Sequence, residues 1–161
     1  MPSLFEDVCQ NIVDLDKMIR FAGIANMRRT IVSAKYRAGL VPLLTQEETI
    51  ESVEHSVLRM SSRRLMEAKL GKTIYSITFY EKVKRAVIPI GKDSDFILMV
   101  SFDNKADYDS IIRNKICPCL VPSNIAKSGY YRSLSYEECN LYWLYLSSRF
   151  PDQIDDPKLF E

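Results

Sequence analysis

One histidine and no long apolar run are what the chain most plainly withholds. With His55 alone, a metal site built on several imidazoles is excluded, and any His-based triad would have to run through that residue. The longest strongly apolar stretch, Phe96 to Val100, falls far short of the roughly 18 residues that span a bilayer. Four cysteines, Cys9, Cys117, Cys119 and Cys139, are too few and too unevenly spread for a disulfide scaffold. Acidic Glu6, Asp7, Asp14 and Asp16 stand where a secretory leader needs a basic start and an apolar core. These features together lead us to expect a cytoplasmic protein with free thiols. Net charge is also missing: 22 Lys+Arg face 21 Asp+Glu, which argues against a generally basic nucleic-acid binder. What is present is 161 residues, 47% of them hydrophobic, enough for one domain with its own core.

Periodicity gives the order of elements. Leu4, Val8, Ile12 and Leu15 form one stripe of a first helix. Arg20 to Asn26 and Thr30 to Tyr36 read as two antiparallel strands joined by a basic turn. Thr45-Gln46-Glu47-Glu48 is a capping box, so a helix is expected over residues 45 to 69, with Gly71 stopping it. Its acidic residues Glu47, Glu48, Glu51 and Glu54 crowd the first half and Arg59, Arg63, Arg64 and Lys69 the second, complementing the helix dipole. Lys72 to Tyr80, Lys82 to Ile90 and Asp95 to Phe102 are three β-rich runs whose connections are too short for a crossover, hence a meander. Asp95 to Phe102 barely alternates, which marks a strand covered on both faces. Tyr108, Ile111, Ile112 and Ile116 suggest a further short helix.

The expected architecture is therefore an α+β domain over residues 1 to 116 with the order α-β-β-α-β-β-β-α. An irregular, Pro/Ser/Gly-bearing connector is expected from 117 to 134. A C-terminal helix and tail from 135 to 161 opens with the capping box Ser135-Tyr136-Glu137-Glu138 and packs back on the domain. Charge supports that return, because residues 104 to 134 hold five basic and two acidic groups while 135 to 161 hold two basic and six acidic.

Several chemistries lose ground on spacing alone. Leu70-Gly71-Lys72-Thr73 resembles the end of a phosphate-binding loop, but Met66 stands where the first glycine is needed and a strand follows instead of a helix. Cys117-Pro118-Cys119 has one intervening residue where structural zinc pairs have two or more. The four glutamates at the helix start stabilise its dipole and lack the burial that tunes catalytic carboxylates. Arg28, Arg29, Arg59, Arg63, Arg64, Lys82, Lys84 and Arg85 make a basic set without a nucleic-acid reader motif. No catalytic, cofactor or metal residue is assigned.

The stretch from Leu15 to about Ile116 resembles an uncharacterised archaeal family, best represented in ammonia-oxidising archaea, whose fold is similar to the roadblock/LC7 and profilin-like group. The resemblance rests on Leu15 to Gly23 (LDKMIRFAG), Val41 to Glu48 (VPLLTQEE), Leu70-Gly71-Lys72 and Tyr80 to Lys84 (YEKVK). It departs from the pattern at Ser33-Ala34, where relatives tend to carry paired glycines, and it stops at Cys117. It implies a five-stranded antiparallel sheet and homodimerisation through the long middle helix. In the wider roadblock-like group such dimers are scaffolds or regulators of small GTPases, an analogy at the level of fold.

The expected activity is thus a non-enzymatic, homodimeric interaction module. Ile50, Val53, Glu54, Val57, Met60 and Arg63 are its candidate interface, with Glu51 or Glu54 reaching Arg63 or Arg59 of an antiparallel copy. Tyr130, Tyr131, Tyr142, Trp143 and Tyr145 belong to a run of six rings, with Tyr136, in sixteen residues, a candidate partner surface. Two alternatives stand beside it: a small-ligand sensor with a profilin-like or PAS-like pocket, and a redox or enzymatic role for Cys117 or Cys119.

Overall fold

The computed structural model describes residues 4–90, 95–116 and 120. Helix α1 spans Leu4–Leu15, followed by β1 (Ile19–Asn26), β2 (Ile31–Tyr36), α2 (Gln46–Arg64), a single turn α3 (Glu67–Leu70), β3 (Ser76–Phe79), β4 (Val83–Ile90), β5 (Phe96–Asp103) and α4 (Tyr108–Ile111), which runs into a π-helical turn, Ile112–Ile116. The strands form one antiparallel sheet in the order β2-β1-β5-β4-β3, so β5 lies at the centre, as its unbroken apolar run requires. The fold class and element order match the sequence reading. The C-terminal connector and appendage, residues 117 to 161, lie outside the described residues apart from Leu120.

Alternation along the strands splits the core into two. Ile19, Ala22 and Ile24 of β1, Leu98, Val100 and Phe102 of β5, and Ala86, Ile88 and Ile90 of β4 meet Phe5, Val8, Cys9, Ile12 and Val13 of α1 and Ile111, Ile112 and Ile116 beyond β5. Leu120 is buried in this same layer. On the opposite face Phe21, Ala25, Ile97 and Met99 meet Val53, Val57 and Met60 of α2. Gly23 has a steric task there: a Cβ would stand 2.6 Å from the Phe21 ring, so only glycine lets that ring lie against the strand beside Met99.

Two elements end elsewhere than the sequence suggests, each for a local reason, and the β1–β2 turn forms without its usual residues. The capping box forms as expected, with Glu48 N–H donating to Thr45 Oγ1 at 3.1 Å and Thr45 N–H to Glu48 Oε2 at 2.8 Å. The helix nevertheless ends at Arg64, and Leu65–Met66 form a turn before α3 reaches Gly71 at φ 85°. Strand β3 is four residues long instead of nine, because its only partner, β4, pairs no further than Ser76↔Val87. In the β1–β2 turn, Asn26 Oδ1 accepts from the N–H groups of Arg28 and Thr30, which holds Arg29 at φ 69° without the Asn-Gly pair such turns favour.

Candidate interaction face

Helix α2 presents opposite surfaces to protein and solvent. Val53, Val57 and Met60, at 1%, 2% and 0% exposure, are covered by this chain's own β1 and β5. This corrects the expected pairing face: those three residues serve the fold, since sheet and helix are close enough to exclude water without a second copy. Of the other expected interface residues, Ile50 is 43% exposed, Glu54 is half-buried and Arg63 is exposed. Leu58 and Leu65, seven residues apart, are 46% and 77% exposed, and Met66 and Leu70 beyond the helix are exposed as well. The seven-residue spacing of Leu58 and Leu65 is the sequence signal that marks them, beside the inward stripe of Val53, Val57 and Met60. The candidate aromatic surface of Tyr130, Tyr131, Tyr142, Trp143 and Tyr145 lies outside the described residues.

Coverage of the sheet beneath α2 is one-sided. The helix rests on β1, β5 and β2, through Ile31 and Ala34, and reaches β4 only at Val87, with no β3 residue in that cluster. Between its flank and β4 runs a groove of about 630 Å³. A smaller apolar cavity of about 80 Å³ adjoins it where residues 40–44 cross the end of the sheet. Leu43, Leu44, Val83 and Arg85 line both. Arg85 is half-buried, and among the described residues no hydrogen bond or ion pair engages its guanidinium.

Arg20, which lines the smaller cavity, is in contrast fully committed. It donates to Asp103 Oδ1 at 3.1 Å while Arg37 donates to Oδ2 at 3.0 Å and also to the Lys17 carbonyl. Burial pushes the Asp103 carboxyl up, but the two guanidiniums overcome it and hold the group below the usual carboxylate range. On the α1 side, Tyr75 Oη donates to Asp109 at 3.0 Å; burial and that carboxylate raise the phenol to about 12. Lys115 pairs with Asp16 at 2.6 Å and keeps that carboxyl low.

Chemistry that needs a tuned nucleophile or a metal finds little to work with among the described residues. Burial pushes the Cys9 thiol, beside Ser33, up to about 11, where it is a small core side chain and not a nucleophile. His55 is exposed on α2, beside the groove. No group of three or more His, Cys, Asp or Glu is placed to hold a metal ion among the described residues, and no described helix is long and apolar enough to cross a membrane. Cys117 and Cys119 are outside the described residues.

One helix laid across half of a five-stranded antiparallel sheet, with a second helical layer behind, is an arrangement known from solved structures. A roadblock/LC7 domain from Streptomyces avermitilis superposes with a TM-score of 0.55 at 12% identity, over 78% of this chain and 93% of that one. Its fold is the roadblock/LC7 fold. Myxococcus xanthus MglB gives 0.57 at 12% identity over 81% and 96%, and an MglB with a tetrameric arrangement gives 0.56 at 13% over 86% and 94%. No protein-family model and no curated protein matches the sequence. At such identities the roadblock/LC7 likeness speaks for fold, and function has to be argued from the face just described.

Proposed function

We propose that the protein is a non-enzymatic interaction module that works as a homodimer and holds a protein partner, with a small GTPase as the partner class. The observation that carries this reading is the unequal covering of the roadblock/LC7 sheet among the described residues: α2 shelters one half, and Leu58 and Leu65 are exposed while no described helix covers the β4–β3 half on that side. Exposed apolar surface of that kind marks association. A second copy is the fitting occupant, because an antiparallel α2 brings its acidic first half, with Glu51 and Glu54, against the basic second half, with Arg59 and Arg63, twice over about a two-fold axis. The edge strand β3 extends the same surface. The tetrameric arrangement of one MglB supports an assembling role for this fold.

The GTPase class comes from the fold analogy. Its test is retention from native cytoplasm by the purified protein in the presence of GDP or a non-hydrolysable GTP analogue. A small GTPase retained with one nucleotide and not the other supports the reading; its absence from both overturns the partner class while leaving dimerisation to a mass measurement.

A further inference from the structure

The cavity beneath residues 40–44 and the guanidinium beside it form one asymmetric seat. Its apolar part, walled by Phe21, Tyr36, Pro42 and Leu44, has room for a single branched side chain. Its polar part is Arg85, half-buried and without a counter-ion among the described residues. Glu48, Glu51 and Glu81 line the same groove, but none of them forms an ion pair with Arg85; Glu48 Oε2 is engaged by the Thr45 N–H, and Asp103 is shared by Arg20 and Arg37. A half-buried guanidinium left to water alone forgoes much of what a carboxylate at bidentate distance would return. The seat therefore suits a segment that offers one carboxylate next to one aliphatic side chain.

We propose that this seat is filled by the chain's own residues 135–148, with a carboxylate of the Glu137–Glu138 pair on Arg85 and Leu141 in the apolar cavity. Three features favour that occupant. In a helical register Leu141 follows Glu138 by three positions and Glu137 by four, which sets carboxylate and leucine side by side. The segment from 135 to 161 carries six acidic against two basic residues, opposite in sign to the unpaired group it meets. Sixteen residues separate Leu120 from Glu137, an extended reach of about 50 Å. Leu120 is anchored on the far face of the sheet, but a domain of this size is only about 35 Å across, so the path around it closes. Tethering then keeps the segment at millimolar effective concentration, ahead of an untethered competitor. The seat adjoins the first turns of α2, and Leu58 and Leu65 lie further along the helix. Glu51 and Arg59 of the dimer contact line the same groove as Arg85, so the isotope pattern of the test below is what distinguishes the two occupants.

The test uses the full chain. A photo-reactive benzophenone side chain at Leu43, which is 56% exposed and lines the cavity, is activated in a mixture of ¹⁴N- and ¹⁵N-labelled protein. The expected product joins position 43 to a peptide from 135–148 carrying the same isotope, and Arg85→Glu lowers its yield roughly fivefold, as loss of a half-exposed charge pair should. Adding Glu137→Arg and Glu138→Arg to Arg85→Glu restores the yield. Products elsewhere in the chain, products of mixed isotope, or none at all overturn the proposal. A mixed-isotope product within α2 would do so while supporting the pairing of two copies, and light scattering on the same samples reports the dimer independently.

Discussion

Across the α1 side of the sheet, side chains from all five strands, from Val32 on β2 to Ile77 on β3, meet a continuous helical layer. Across the α2 side, packing extends from β2 only as far as Val87 on β4. Both sides obey the same alternation, and both place aliphatics under a helix. They differ in what ends the layer: on one side α1 and the turns after β5 share the width of the sheet, on the other α2 is the only helix among the described residues. A face finished by its own chain has only stability to offer. A face left half finished among the described residues has surface left for further contacts, and there the exposed aliphatics and the groove gather, with Arg85 unpaired among those residues.

The sharpest way to break this contrast is to put a charge under α2. Val57→Glu would bury an uncompensated carboxylate against Phe21 and Met99, and we expect a loss of more than about 4 kcal/mol by urea unfolding, enough to abolish the native state of many domains. A folded monomer from this variant would mean that α2 is held to the sheet less firmly than its burial implies. Gly23→Ala tests the same layer more gently. The added methyl displaces the Phe21 ring, at an expected cost of about 1–2 kcal/mol, whereas an unchanged melting temperature would show that the ring yields freely.

A smaller effect is expected where the sheet ends beside the cleft. The Asp103 carboxyl is held below its unfolded value of about 3.9, so its stabilisation is fully present above that pH and is lost as pH falls through the folded value. Asp103→Asn should therefore cost about 1 kcal/mol at pH 7, with the gap to wild type closing below about pH 4. A gap that stays constant with pH would assign Asp103 a purely steric role.

Much of this contrast is written locally in the sequence, and its remainder is not. Thr45 and Glu48 announce the start of α2, and the unbroken run from Phe96 to Val100 announces a central strand, because each signal is satisfied within a few residues. Which stripe of α2 faces home is a different kind of fact. Ile50, Val53, Val57 and Met60 look like a seam for any apolar surface, and only the sheet's actual width under the helix decides that Val53, Val57 and Met60 are covered by this chain while Ile50 is left exposed. Arg85 was legible as part of a basic set but not as the member lacking a counter-ion, since that depends on Arg20 and Arg37 claiming Asp103 from distant points in the chain.

Leu58 is the residue where fold and association come apart, because it is 46% exposed on α2 while Val53, Val57 and Met60 form the buried layer. The mass of Leu58→Glu in solution, measured by light scattering alongside its melting temperature, asks the question directly. The wild type should run at twice the chain mass, and the variant at the mass of one chain with its melting temperature nearly unchanged. A wild type that is already a single chain, or a variant that stays paired, would contradict the assignment of α2's outer surface to a second copy.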